Sequence, residues 1–262
     1  MLVFASICPH SPLLIPNIGR DNLESLAATK KSLEKLNQEL KEANPETIIV
    51  ISPHGQIFEN SFSILSSAKY VSDFKDFGDI VTKLEFKTDA DLIHQINDQV
   101  KVAMPIKTVS DSNLDYGSAV PLYYLTKDLN VSVVSLGYSL LNYEEQVHFG
   151  EILKDIILNS EKRIALIASA DLSHCLTPDS PGKYCPQAKS FDQGLIETLK
   201  NKKIDQILKL DPGLIEEIGE CGLRSILILL GVVKEMNYET EFLSYEAPFG
   251  VGYLVMNFKL LI

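Results

Sequence analysis

The sequence predicts an α/β fold, a single domain over residues 1–262 with a mostly parallel central sheet flanked by helices and a site at the C-terminal ends of its strands. Three observations carry this. Short runs rich in Val, Ile, Leu and Ala alternate with stretches of helical periodicity, the pattern of repeated βα units. Three of the runs close within a few residues on a histidine: MLVFASI leads to His10, ETIIVIS to His54 and RIALIASADLS to His174. The carboxyl edge of an open parallel sheet is where such folds bind ligands, so histidines from distant segments are expected to converge there.

Residues 2–7 are too few for a typical helix and read as a buried strand. A loop punctuated by proline and glycine, SPLLIPNIGR, separates it from a helix over residues 21–43. There Leu26, Leu33, Leu36 and Leu40 recur at helical spacing, Asp21 is available as the cap and Pro45 lies beyond the end. ETIIVIS is the next strand, and FSILSS and DIVTKLEF read as extra strands of hairpin type. A helix over residues 89–102 takes its face from Leu92, Ile96 and Val100. VSVVSLGY is a strand, residues 143–158 a helix, and the next strand ends at His174. After the Pro/Gly-rich loop TPDSPGKYCP come helices over 187–202, 204–210, 212–218 and 222–236. EFLSYEA and VGYLVMNF, split by Pro248 and Gly250, close the chain as strands. No internal repeat or low-complexity linker divides it, which is the ground for one domain.

At 262 residues and 45% hydrophobic, the chain carries enough apolar material for one large core. Its 35 acidic against 24 basic residues give a net charge of −11, and no long basic cluster occurs, so nucleic acid is not an expected partner. The apolar N-terminus lacks a basic leading segment and meets Pro9 and His10 before a signal core can form, and no apolar run reaches membrane-spanning length. A cytoplasmic protein without a membrane partner is expected. Cys8, Cys175, Cys185 and Cys221 lack CxxC spacing, which points to reduced thiols.

A histidine met singly is more often structural or exposed than functional. His94 and His148 fit that description, each inside an amphipathic helix. His10, His54 and His174 share one topological position, which favours a metal or acid/base site. Two neutral imidazoles suit a first-row transition metal, and a carboxylate would complete the two-histidine facial arrangement that leaves positions open on Fe(II). Glu220, in IGECGLRS at a helix start, is the best candidate for that carboxylate, although the helix dipole alone would also favour an acid there. Glu246 in SYEAPFG is a weaker competitor, and Cys221 could supply a thiolate instead. The same donors also suit catalytic zinc. Asp171, three residues before His174, either orients a histidine from behind or caps a turn.

Taken together, CPHSPLLIP, ISPHG, LDYGSAVPLYYL, SADLSH and ECGLRSILILLG resemble the LigB-type class III extradiol ring-cleavage dioxygenase superfamily nearly end to end. Within it the chain is most similar to the LigB-like part of the AmmeMemoRadiSam system proteins, relatives of the Memo proteins. The resemblance implies metal ligands at His10, His54 and Glu220 and a catalytic acid/base at His174. Memo-like members carry a cysteine where ECG aligns, so Cys221 is the alternative third ligand. One departure falls in LDYGSAV: many relatives have a histidine, which helps handle substrate or oxygen, where this chain has Tyr116. A phenol donates a hydrogen bond but forms no cation near neutral pH.

The implied activity is Fe(II)-dependent opening of a catechol-like ring with O2, the substrate pair being a small aromatic diol and oxygen. Two other readings stand beside it. One is a non-catalytic Memo-like metal-binding scaffold acting with a radical-SAM partner; the other is a zinc-dependent hydrolase, and a homo-oligomer is compatible with each reading.

Overall fold

The computed structural model describes residues 1–261. Its elements in chain order are β1 (Leu2–Cys8), α1 (Pro16–Gly19), α2 (Ala27–Ala43), β2 (Thr47–Ser52), β3 (Phe62–Leu65), β4 (Lys69–Phe74), β5 (Asp79–Thr88) and α3 (Ala90–Ala103). Then follow β6 (Ile106–Val109), α4 (Tyr116–Leu125), β7 (Ser132–Gly137), α5 (Tyr143–Asn159), β8 (Ile164–Ser169) and α6 (Ala188–Lys200). The last are α7 (Ile204–Ile207), α8 (Pro212–Ile218), α9 (Leu223–Val233), β9 (Tyr238–Glu246) and β10 (Tyr253–Leu260).

One sheet runs through the molecule in the order β4-β5-β7-β2-β8-β1-β10-β9, with β3 and β6 attached beside β7. Its centre is parallel: β2 lies between β7 and β8, and β8 pairs with β1. Its margins are antiparallel, β4 with β5 on one side and β10 with β1 and β9 on the other. Strand β2 reads TIIVIS and β8 reads IALIAS, buried at every position, because parallel strands are covered on both faces and gain from continuous apolar sequence. On one face, Leu33, Leu36 and Leu40 of α2 and Val120 and Leu122 of α4 share a core with Ile48 and Val50. On the other, Ile96 of α3, Phe149 and Leu153 of α5 and Ile228 of α9 pack against Ile49 and Leu166.

Helix α9, LRSILILLGVV, is buried nearly all round, as expected of a helix apolar on every face. It lies against α5 so closely that a Cβ on Gly150 would sit 2.1 Å from the Ile228 carbonyl oxygen. Its N-terminal end therefore has a fixed position over the carboxyl edge of β8. No helix among the described residues is long and apolar enough to cross a membrane.

Several local expectations shift. The expected helix over 21–43 is a 3-10 turn from Arg20 to Leu26 followed by α2, and the side chain near the α2 N-terminus is not Asp21: Glu246 accepts the Thr29 amide at 2.7 Å. A side chain from β9 does what a local cap was expected to do. The hairpin partner of β5 is β4, whereas β3 pairs with β6 and β7. Strand β8 stops at Ser169, and a loop carries Asp171 and His174. Helix α4 was not anticipated, because Pro121 stands inside it. Asp115 caps it through the Ser118 amide, and the Gly117 carbonyl, which Pro121 leaves without an amide partner, accepts the Ser169 hydroxyl.

Candidate metal centre

The carboxyl ends of β1, β2 and β8 are adjacent in the sheet, so the segments that follow them meet above one edge. His10 follows β1, His54 follows β2, and Cys221 arrives from the turn before α9. A nitrogen of each imidazole and the Cys221 Sγ all lie within 4.8 Å of one another. His10 Nε2 is 3.0 Å from His54 Nε2 and 3.3 Å from Cys221 Sγ. At ordinary metal–nitrogen and metal–sulfur bond lengths, donors sharing one tetrahedral ion stand roughly 3.3–3.6 Å apart, so the spacing is close to that of a shared ion.

The strand-end serines hold the two histidines, His10 at its ring and His54 at its main chain. Ser169, the last residue of β8, stands 2.9 Å from His10 Nδ1 and donates its hydroxyl to the Gly117 carbonyl at 2.5 Å. With that hydroxyl proton committed to Gly117, Ser169 accepts from Nδ1–H, and Nε2 keeps the lone pair a metal needs. Asp171 accepts the His10 backbone N–H at 2.8 Å, and its other oxygen lies 3.6 Å from His10 Nε2. Ser52, the last residue of β2, accepts the His54 amide at 3.2 Å and donates to Asp115 at 2.5 Å. Gly117 is required here: a Cβ would stand 2.6 Å from Ser52 Oγ and 2.9 Å from His54 Cδ2.

Burial sets the protonation states. It pulls His10 down to about 3 and His54 to about 4, with the neighbouring histidines adding to the effect, so both are neutral at physiological pH. Burial also pushes the Cys221 thiol well above its ordinary range, and the carboxylates of Asp171 and Glu220 push it further. Without a metal the sulfur is therefore a thiol.

His174 lies beside this group, its Nε2 4.0 Å from Cys221 Sγ, while its Nδ1 is buried with no hydrogen-bond partner. The Tyr116 hydroxyl is 2.9 Å from His54 Nε2, and its ring stacks on the His54 ring at 4.3 Å. Burial raises the Tyr116 phenol above its ordinary value, leaving it a neutral donor. Glu220 is turned away from the group: it accepts the Leu223 amide at 2.5 Å at the start of α9, and burial lifts its carboxyl to about 7. A cavity of about 300 Å³ opens between His54, Gln56, Asp115 and Ser135, and a second of about 600 Å³ lies between the β4–β5 hairpin and Tyr116. His94 and His148 are exposed on α3 and α5, away from the centre.

Ser52, Ser169 and Asp115 were not anticipated. The available signal was a serine closing an otherwise apolar strand, VIS and IAS, at the sheet edge that carries the histidines.

The family model described as the catalytic LigB subunit of aromatic ring-opening dioxygenase matches residues 4–256. The chain belongs to the LigB family. This LigB chain is 31% identical over 265 residues to the Clostridium acetobutylicum protein CA_C1420, a match covering 97% of this chain and 56% of that protein. It is 26% identical to the 2-aminophenol 1,6-dioxygenase beta subunit of a Pseudomonas species, over 56% of this chain and 54% of the subunit. A third relative, the 4,5-DOPA dioxygenase extradiol of Mirabilis jalapa, is 21% identical over 87% of this chain and 89% of that enzyme. The chain thus spans about half the length of the first two relatives. Among solved structures, protein JW3007 from Escherichia coli K12 superimposes with a TM-score of 0.64 at 17% identity, covering 97% of this chain and 99% of that one, a likeness of fold.

Proposed function

We propose that this LigB chain is an Fe(II)-dependent extradiol dioxygenase that opens a small aromatic diol with O2. The observation that carries the reading is the convergence of His10 Nε2, His54 Nε2 and Cys221 Sγ at the edge where the fold gathers its loops. These donors fit a transition metal: two imidazoles already neutral, one fixed by Ser169 with Nε2 free, and a soft sulfur, a set that suits iron, zinc or copper better than magnesium or calcium. His10, His54 and Cys221 would hold the ion, with Glu220 the carboxylate alternative to the thiolate. A divalent metal held there supplies a Lewis acid and an electron path between diol and oxygen.

The remaining residues bind and move protons. His174 Nε2, beside the donors, takes the diol proton, and the imidazole returns it as the ring opens to a semialdehyde-type product. Tyr116, a neutral phenol with its hydroxyl 2.9 Å from His54 Nε2, would orient a substrate oxygen by donating a hydrogen bond. Asp171 keeps the His10 backbone in place.

The test is oxygen uptake on a catechol panel after anaerobic Fe(II) loading. Equimolar uptake of O2 and formation of ring-opened product are expected, with His174→Ala retaining stoichiometric iron while kcat falls by about 10²–10⁴-fold. Loss of iron from that variant would make His174 a ligand. A second reading, the Memo-like metal-binding scaffold, is favoured by a sulfur in the donor group and by Tyr116 at the position where the family resemblance implies a histidine in many members. An iron-loaded protein inactive across the panel, and still inactive as Tyr116→His, would support it.

A further inference from the structure

His174 presents a problem of orientation. A catalytic imidazole is ordinarily held by a hydrogen bond to the nitrogen facing away from the reaction, and here Nδ1 is buried with no such partner. Its direction then depends on the main chain that carries it, where the His174 amide donates to the Ile218 carbonyl at 3.2 Å and the His174 carbonyl accepts the Gly182 amide at 2.9 Å. The residue before it, Ser173, is fully buried and doubly bound to one carboxylate: Asp192 Oδ1 accepts the Ser173 amide at 3.1 Å and the Ser173 hydroxyl at 2.5 Å. The other oxygen, Oδ2, accepts the Tyr245 hydroxyl at 2.5 Å.

Asp192 itself is fully buried in α6, with no cation among these partners. Placing an acid there is expensive in solvation free energy, and a backbone amide alone could be satisfied by any neutral acceptor. The neighbouring backbone is shaped to admit it. A Cβ on Gly252 would stand 2.3 Å from Asp192 Oδ2, and Gly252 pairs with the same segment, accepting from Leu172 N–H at 2.8 Å and donating to the Ser173 carbonyl at 2.9 Å. The segment from Leu172 to Ser173 is thus clamped between the turn before β10 on one side and Asp192 on the other.

We propose that Asp192 is the positioning residue for His174, acting through Ser173, with Tyr245 fixing the carboxylate from its far side. The proposal rests on the acid/base reading of His174, and its test separates the two. Asp192→Asn keeps an oxygen for Ser173, whereas Asp192→Ala and Ser173→Ala break the clamp. The full chain, metal-free and Zn²⁺-loaded, is compared by imidazole Cε1–H NMR cross-peaks, and the Fe(II)-loaded chain by turnover.

In Asp192→Ala and Ser173→Ala the His174 cross-peak shifts or broadens, while those of His10 and His54 and the metal stoichiometry hold. The kcat for a diol falls by up to about 100-fold, the scale of an ångström of misplacement, with KM little changed, and Asp192→Asn recovers most of the loss. An unmoved His174 cross-peak in folded Asp192→Ala overturns the proposal. Should that variant not fold, the same result in Ser173→Ala does so. If the parent chain cleaves no diol, the acid/base reading fails, and the NMR comparison still decides whether Asp192 sets the imidazole.

Discussion

At the scale of single residues, the third donor is the sharpest question, because Glu220 and Cys221 are adjacent. Both lie in the turn between α8 and α9, outside either helix, where each side chain is turned by its own contacts. Cys221 faces the histidines while Glu220 folds back onto the Leu223 amide. Cys221→Ala is therefore expected to weaken metal binding more than Glu220→Ala, and His10→Ala or His54→Ala to abolish it, as read by metal analysis after gel filtration. Equal retention by all four variants would remove the centre.

Protonation supplies an independent check at the same scale. His10 and His54, pulled down to about 3 and about 4, carry no proton to displace at pH 7.5, whereas the Cys221 thiol, pushed up by burial, does. Binding of Zn²⁺ should release about one proton per metal, measured calorimetrically in buffers of different ionisation enthalpy, and none in Cys221→Ala. In the metal-free protein the two histidines act on stability in a definite direction. The unfolded chain takes up protons at these residues as pH falls through about 6.5 while the folded chain does not, so their contribution is lost progressively between there and about 3. Asp171 and Glu220, raised to about 6 and about 7, act oppositely, because the folded chain holds their protons to higher pH than the unfolded one.

At the scale of elements, the centre depends on how α9 meets β8. A Cβ on Gly222 would lie 2.4 Å from the Ala170 Cβ and 2.8 Å from the Asp171 carbonyl oxygen. Both neighbours belong to the segment leading to His174, so Gly222→Ala should push the α9 entrance away from the sheet edge. A loss of about 1–3 kcal/mol in denaturant unfolding is expected, together with weaker metal binding, since Cys221 moves with the turn. Unchanged affinity would mean that the donors tolerate displacement. The carboxyl edge of the sheet was legible from the three strand-end histidines, and α2 and α3 from their periodic leucines, isoleucines and valines. Helix α4 was not legible, because its apolar residues run together around Pro121 without a polar face.

At the scale of the molecule, the donors come from residues far apart in sequence, just after β1, just after β2 and in the turn before α9, so an ion binding them would tie the central strands to the helix packed above. Only the folded chain brings these donors together, and binding is linked to unfolding. At metal about 100-fold above its dissociation constant the gain is about 2.7 kcal/mol, which for a domain of this size corresponds to a rise in Tm of roughly 5–10 °C. Thermal unfolding with and without Zn²⁺ measures it, and a rise of the same size in His54→Ala would place the ion elsewhere.

By itself the sequence determined the alternation of strands and helices, the buried parallel centre and the strand-end positions of His10 and His54. These follow from local periodicity and from where apolar runs stop, which neighbouring residues alone encode. Tertiary structure decided the strand order, the pairing of β4 with β5, the capping of α2 by Glu246, and the placement of the Cys221 sulfur near the histidines with Glu220 turned onto the Leu223 amide. All of these join segments far apart in the chain, and the placement of Cys221 depends on the close approach of α9 to α5 and to the segment after β8, at Gly150 against Ile228 and at Gly222 against Ala170.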